Sequence, residues 1–240
     1  MMLSVHVGDW FYFGMDMAKQ IAWHSVEQIF SALNNSGCKY AVLRNYESMS
    51  DGNPFVNGHD DIDLLCDDLR CAKRVLNANR RFLFPTVNSY YICFENHTVN
   101  VDIRFVGDGY YDTAWEQKML ANRVLFCDCI YVLHPKDYFY SLTYHALFQK
   151  KRVSDEYYTK LIAMAKSIGI ACESVSDLAR ALEEYMILNH YCYTITQDPG
   201  IVLNFGDVDK NRIKRNGIWT FKRNVLDLLK RNKRIGQKYV

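Results

Sequence analysis

The feature that most constrains the fold is DIDLLC, residues 61–66, where two aspartates alternate with apolar residues. Successive side chains of a β-strand point to opposite faces of a sheet, so Asp61 and Asp63 share one face while Ile62 and Leu64 share the other. Burial of unpaired carboxylates is costly, so a strand that keeps two of them together needs cations nearby. The stretch therefore predicts a strand with one apolar face and one acidic face.

A second strand supplies a third carboxylate. In TVNVDIRF, residues 98–105, apolar residues alternate with polar ones, among them Asp102. Taken alone, Asp102 would be interpreted as a solvated aspartate on the exposed face of a strand, but the pair upstream reverses that preference. Mg²⁺ and Mn²⁺ prefer carboxylate oxygens, and two-metal sites hold their ions about 4 Å apart. We therefore predict that Asp61, Asp63 and Asp102 bind divalent metal.

The segments around these strands predict helices packed against a mixed sheet. Apolar residues at helical intervals indicate a helix over 15–36, followed by Gly37 as its cap. A strand over 39–45 runs into a loop that contains Gly58, which lets the chain turn into the acidic strand. Four further strands and two helices are predicted, the strands at 81–87, 90–95, 98–106 and 124–133 and the helices at 67–78 and near 112–121.

After residue 134 the pattern becomes helical. Three helices are predicted to start at Pro135, at Ser154 and at Ser174 or Ser176. We expect an α+β fold, with a catalytic α/β core over 1–133, a helical subdomain over 134–205 that completes a cleft, and a basic tail over 206–240.

Composition narrows the class of protein. The chain has 240 residues, of which 49% are hydrophobic, enough for a substantial core. It contains no apolar run of membrane-spanning length and no segment patterned like a signal peptide. Eight scattered cysteines favour buried free thiols, and the pair Cys127 and Cys129, at strand spacing without a second pair, argues against zinc. These features predict a cytoplasmic protein.

The net charge of +2 hides an asymmetry. From Lys210 to Val240 there are eleven Lys or Arg and one acidic residue, a net charge of +10, which leaves −8 for the rest of the chain. Bases alternate with apolar residues in this tail, so it could bind an anionic membrane surface, an acidic partner or nucleic acid, with nucleic acid the least favoured. Alternatively, its apolar side docks on the acidic body and its lysines stay solvated.

The ordered set of motifs resembles the nucleotidyltransferase fold of the DNA polymerase β superfamily. More narrowly, YAVLRNYESM, GHDDIDLL, VDIRFVGDGYYD, HPKDYFYSLTYHALFQK and YYTKLIAMA are similar to bacterial nucleotidyltransferase-like proteins encoded among cell-surface polysaccharide genes. The resemblance covers roughly residues 20–205, with its catalytic part in 39–105. It implies metal-dependent transfer of a nucleoside monophosphate from a nucleoside triphosphate to a hydroxyl or phosphate, such as that of a sugar or polyol phosphate.

The resemblance also implies roles for individual residues. Asp61 and Asp63 would hold Mg²⁺ or Mn²⁺, and Asp102 would hold the catalytic ion and help to deprotonate the acceptor. Asp60 falls out of phase and is expected in a solvated loop. Gly58 is counted with the nucleotide-binding residues.

One element of the superfamily is missing. Members carry a Gly-Gly or Gly-Ser pair after the first strand, whose amides bind the triphosphate, and this chain has LRNYES there. Arg44 could bind phosphate in its place, because its planar fork suits phosphate oxygens, or it could be an ordinary surface or ion-pair residue.

The helical subdomain offers further nucleotide-binding candidates. Lys150 could neutralise phosphate, His145 lies nearby, and a tyrosine such as Tyr157 could stack on a base. Basic residues are also common at helix C-termini for electrostatic reasons alone, and helical tyrosines commonly serve packing.

Three hypotheses follow. The first is the metal-dependent nucleotidyltransferase. The second is a phosphotransferase similar to the LicD and fukutin group, which would use a CDP-linked donor. The third is a noncatalytic module that binds nucleotide or scaffolds a complex. Three retained carboxylates argue against the third, because a fold without catalysis has no need to keep them together.

Overall fold

A computed structural model describes residues 22–50, 55, 61–81, 89–196, 198, 201–214, 217, 221 and 224–225. Its centre is an eight-stranded mixed sheet in the order β1-β5-β6-β3-β2-β8-β7, with β4 also paired to β5. The strands are β1 (Ala22–Trp23), β2 (Tyr40–Val42), β3 (Asp61–Cys66), β4 (Asn79–Arg80), β5 (Ser89–Phe94), β6 (His97–Phe105), β7 (Val124–Phe126) and β8 (Ile130–Val132).

Helices cover both faces of this sheet. They are α1 (Val26–Asn35), α2 (Leu69–Leu76), α3 (Thr113–Ala121), α4 (Pro135–Phe148), α5 (Asp155–Ser167) and α6 (Val175–Leu188). A separate parallel pair joins β9 (Tyr193–Thr194) to β10 (Ile213–Lys214). The prediction of an α+β fold with a mixed sheet and flanking helices is confirmed. No helix among the described residues is both long enough and apolar enough to cross a membrane.

The alternation along β3 divides the core into two. Ile62 and Leu64 point into an apolar cluster with α1 and α2, whereas Leu65 belongs to a second cluster with the aromatic residues of α3, α4 and α6. Asp61 and Asp63 share the phase of Leu65, so both aspartates face the helical layer that follows residue 134. The second cluster takes residues from both sides of the predicted boundary at 133/134, and the division into three domains stays a prediction.

Two predicted elements differ from the structure. The helix over 15–36 starts only at Val26, because the Ser25 side chain caps it by accepting the Gln28 amide, and Ala22–Trp23 pairs with β5 as a strand. Residues 15–21 lie outside the described part of the chain. The helix ends at Asn35, and Gly37 follows with a φ of 77°.

The apolar run 124–133 was predicted as one strand and is a hairpin, β7 and β8. Its loop consists of residues 127–129, in which Cys127 and Asp128 have left-handed φ values of 46° and 57° and the Cys129 N–H donates to the Phe126 carbonyl at 3.2 Å. The Cys127 and Cys129 side chains therefore do not share a strand face. The turn between β5 and β6 lies at 95–96, one residue before the gap that separates the predicted strands 90–95 and 98–106. The predicted strand 81–87 lies outside the described residues except for Arg81, which is not in a strand.

Candidate active site

The site begins with two neighbouring parallel strands. β3 and β6 pair so that Asp63 lies opposite Asp102 and Asp61 lies opposite Asn100. All four side chains have the same phase and face the helical layer. The structure thus brings the three predicted carboxylates to one patch of the sheet.

This patch forms one wall of a cavity of about 610 Å³. The sheet side contributes the three aspartates together with Arg44 and Arg104, and the helical side contributes His145, Lys150, Tyr157 and Lys160. The predicted site residues that line it are Arg44, Asp61, Asp63, Asp102, His145 and Lys150. Gly58 and Asp60 lie outside the described residues. An acidic wall therefore faces a wall that carries lysines.

Arg44 is the closest partner of Asp63. Its Nε lies 2.6 Å from Oδ2 of Asp63 and its Nη2 lies 2.6 Å from Oδ1, a bidentate pair. Both side chains are largely buried, and Asp63 is 3% exposed. Burial alone would lower the pKa of Arg44, but Asp63 and Tyr110 raise it well above its ordinary value. Arg44 is thus permanently cationic, and of its two predicted roles the structure shows the ion pair, inside the site.

Asn45 follows Arg44, in the segment where the superfamily carries its glycine pair. Asn45 adopts a φ of 58°, the left-handed conformation that glycine takes without strain. Its amide N–H donates to the Tyr138 hydroxyl at 3.4 Å, and Ser48 Oγ donates to the Asn45 carbonyl at 3.3 Å. Asn45 therefore has a backbone conformation that is more common for glycine, and its backbone N–H is already bonded to a tyrosine hydroxyl.

Asp102 differs from Asp63 in its surroundings. Burial raises the pKa of Asp102 above its ordinary value, and the negative charge of Asp63 raises it further. Arg104, the Ser89 side chain and Arg44 act in the opposite direction. A carboxylate with a raised pKa is a better proton acceptor than an ordinary aspartate.

Arg104 is a buried cation in the sheet wall of the cavity. Its Nη2 donates to Asp198 Oδ2 at 2.8 Å, and its guanidinium lies 4.1 Å from the centre of the Tyr110 ring. The sequence placed Arg104 on the polar face of its strand, but only the fold shows it to be buried. Asp198 was not predicted, because nothing in the sequence near it indicates a partner 94 residues earlier.

His145 lines the cavity and is held there by a polar network. Its Nδ1 lies 3.0 Å from the Tyr110 hydroxyl and 3.0 Å from Gln149 Oε1, and Gln149 Nε2 donates to the Tyr110 carbonyl. Burial, and then the charges of Arg44 and Lys150, lower the pKa of His145 well below its ordinary value. The imidazole is neutral and positions Tyr110.

The helical wall carries cations and an aromatic ring. Burial lowers the pKa of Lys150 and Arg44 lowers it further, whereas Asp63 and Asp61 oppose the change. Tyr157 lies with its ring 5.8 Å from that of His145. Lys160, which the sequence analysis missed, bonds Glu47 at 3.3 Å and so links α5 to the turn after β2. Its helical spacing from Tyr157 is the one signal that could have indicated it.

The donor chemistry of the acidic wall fits Mg²⁺ or Mn²⁺, because carboxylate oxygens are the ligands that these ions prefer. The site is not assembled around them, however. Arg44 contacts both oxygens of Asp63, and among the described residues no group of three or more His, Cys, Asp or Glu side chains is arranged as a metal site. Binding of metal at Asp63 would require a change at Arg44.

Comparisons with known proteins add a distant likeness. No family model matches the chain, and no curated protein matches it. The solved structures similar to it include an antigenic nucleotidyltransferase-like protein from Paracoccidioides brasiliensis, at 14% identity and a TM-score of 0.40, covering 70% of this chain and 91% of that one. Another is the antibiotic-resistance factor ANT(2'')-Ia, at 12% identity and a TM-score of 0.39, covering 69% of this chain and 93% of that one. Both likenesses are too distant to bear on activity or substrate.

Proposed function

We propose that this protein is a metal-dependent nucleotidyltransferase that moves a nucleoside monophosphate from a nucleoside triphosphate to a hydroxyl or phosphate acceptor. The observation that carries the proposal is the register of Asp63 against Asp102, with Asp61 on the same face of β3, in a cavity whose opposite wall holds Lys150 and Lys160. A triphosphate needs cations on several sides, and this cavity offers them.

The acidic wall would bind metal, and the helical wall would bind the phosphates and the base. Asp61, Asp63 and Asp102 would hold Mg²⁺ or Mn²⁺, which when bound supplies charge neutralisation and orientation of the phosphates. Lys150 and Lys160 would neutralise the outer phosphates of the donor. Tyr157, half-buried on the same wall, would offer its ring to the base.

The proposed transfer is an in-line displacement at the α-phosphorus of the donor. The acceptor oxygen forms a bond to the α-phosphorus, the bond between that phosphorus and the bridging oxygen breaks, and pyrophosphate leaves. Asp102 takes the proton of an acceptor hydroxyl. From the motif resemblance, we propose a sugar or polyol phosphate as the acceptor, in surface polysaccharide synthesis in the cytoplasm.

The experiment is a calorimetric titration with each of four nucleoside triphosphates, in the presence and absence of Mn²⁺. We expect metal-dependent binding of at least one triphosphate, lost in Asp102→Asn and kept in Asp128→Asn, a matched change in the exposed turn of the β7 hairpin. CDP-choline serves as the probe for the second hypothesis.

The outcomes separate the three hypotheses. Binding of CDP-choline without binding of any triphosphate would favour the phosphotransferase, which the bonded amide of Asn45 keeps open. Triphosphate binding that is indifferent to metal and to Asp102→Asn would favour a noncatalytic module. Absence of binding by every probe would refute both enzymatic hypotheses.

A further inference from the structure

The cation nearest to the acidic wall is part of the protein itself. The Arg44 fork occupies both oxygens of Asp63, and the pair is sheltered from water. A divalent ion that approached Asp63 in this arrangement would meet a fixed positive charge at contact distance. Metal and guanidinium therefore compete for the same carboxylate.

Arg44 cannot simply leave. A guanidinium separated from its carboxylate in a buried site is strongly unfavourable unless another anion replaces that carboxylate. Its third nitrogen, Nη1, lies 3.5 Å from the neutral hydroxyl of Tyr110, which cannot neutralise the charge. Arg44 needs a second anionic partner before it can release Asp63.

A nucleotide phosphate meets this need. A planar guanidinium binds phosphate oxygens with the same two-point geometry that it uses for a carboxylate. Arg44 lines the same cavity as Lys150 and Lys160, the residues proposed to bind phosphate, so a donor in the cavity lies within the reach of the fork. The phosphate would take Arg44, and Asp63 would become free for the ion.

We infer that Arg44 makes metal binding conditional on the nucleotide, by exchanging Asp63 for a donor phosphate when the substrate enters. This inference rests on the proposed function and adds the order of events. The ion has low affinity for the free protein, and metal and nucleotide each strengthen the binding of the other, as linkage requires. In this scheme Arg44 binds the donor phosphate directly, and by doing so it controls whether Asp63 is available to the ion.

The test uses the full chain and follows free Mn²⁺ by electron paramagnetic resonance. In the absence of nucleotide we expect wild type to bind Mn²⁺ weakly and Arg44→Gln to bind it roughly tenfold more tightly, a typical size for coupling between sites. Lys150→Gln is the matched control, since it removes a positive charge from the same cavity without freeing Asp63. The gain in Mn²⁺ affinity of Lys150→Gln should be clearly smaller than that of Arg44→Gln.

The second measurement is the coupling between metal and a non-hydrolysable triphosphate analogue. The analogue itself chelates Mn²⁺, so the coupling factor is compared between wild type and Arg44→Gln, where chelation is the same and cancels. We expect the factor to fall roughly tenfold in Arg44→Gln. Arg44→Lys, which keeps the charge but loses the two-point fork, provides a second variant if Arg44→Gln does not fold.

The outcomes distinguish this inference from the function beneath it. Tight Mn²⁺ binding by wild type in the absence of nucleotide would overturn the role of Arg44, and so would equal gains in Mn²⁺ affinity in Arg44→Gln and Lys150→Gln. Either result would leave the nucleotidyltransferase proposal intact. If wild type shows no metal-dependent nucleotide binding, the proposed function is wrong, and this inference is wrong with it.

Discussion

The two faces of the central sheet are filled in different ways. On the side of α1 and α2 the buried cluster is apolar, from Phe30 and Ile62 to Val101. On the other side, aromatic residues share the interior with buried charges, and the fully or nearly buried charged side chains of the described residues are Asp63, Arg104, Asp108, Asp112, Glu116, Asp137 and Asp198. Buried charge is expensive unless it is paired. One face is therefore filled by apolar packing, whereas the other buries charged groups, of which Asp63 and Arg104 line the cavity.

The largest expected effect tests the apolar face. Phe30 is fully buried and stacks on Tyr40, with ring centroids 5.7 Å apart. Phe30→Ala should lower the free energy of unfolding by about 3–5 kcal/mol, because it removes buried area and leaves a cavity. Urea unfolding gives the value, and Phe221→Ala, at an exposed phenylalanine, is the control. Nucleotide affinity of the folded variant should stay at the wild-type level, and a loss would show that the faces are not independent.

The next effect tests how much free energy the buried charges cost on the polar face. Asp63→Asn leaves the Arg44 guanidinium buried without its carboxylate, so we expect a loss of about 3 kcal/mol in the free energy of unfolding together with loss of metal-dependent binding. The double variant Arg44→Met with Asp63→Leu should recover most of that stability while binding stays absent. If the double variant is less stable than Asp63→Asn, the pair stabilises the fold in its own right and the contrast between the faces is wrong.

A third effect concerns Glu116, which is buried and accepts hydrogen bonds from the backbone N–H groups of Gly107 and Tyr111. Burial, and then Asp108, raise its pKa from 4.5 to about 9. Between these values unfolding releases a proton, so the stability due to Glu116 is complete below about pH 4.5 and is lost as the pH rises to about 9.

Wild type should therefore lose up to about 1.4 kcal/mol per pH unit between pH 6 and pH 8, the limit for one proton. Glu116→Gln should show a smaller slope, although its amide can accept only one of the two N–H groups and lowers stability at acidic pH. Urea midpoints at several pH values measure both slopes. Equal slopes would mean that Glu116 is ionised in the folded protein.

The smallest effect separates the two lysines at the end of α4. Both lysines are exposed, but Lys150 lines the cavity and Lys151 does not. Lys150→Met should weaken triphosphate binding about tenfold, or about 1.4 kcal/mol, with little change in stability. Lys151→Met should leave affinity unchanged, and a similar loss in both variants would indicate a general field effect rather than a contact in the cavity.

The sequence predicted the acidic wall because its signal is local. Period-two alternation around Asp61, Asp63 and Asp102 fixes which face each side chain occupies, and the fold only had to bring β3 beside β6. Alternation could not predict that Arg44 is the bidentate partner of Asp63, because Arg44 lies 19 residues away across a long loop. Pairing at that separation depends on how β2 and β3 meet.

The misread elements have local causes as well. The run 124–133 is apolar without glycine or proline, so nothing marks Cys127 and Asp128 as a turn, although aspartate tolerates the left-handed conformation better than most residues. At the first helix, Ser25 and Gln28 were the true start signal. The apolar residues before them extended the helical pattern into a segment that β5 holds as a strand.

Asn45 also bears on how the site could select its substrate. Because the turn after β2 is left-handed, a glycine would keep its backbone path, but the asparagine adds an amide side chain to the lining of the cavity. The chain thus has a left-handed residue at this point of the cavity wall and carries a side-chain amide there. A donor or acceptor that fits must be smaller at this point, or must offer a group that hydrogen-bonds to a primary amide.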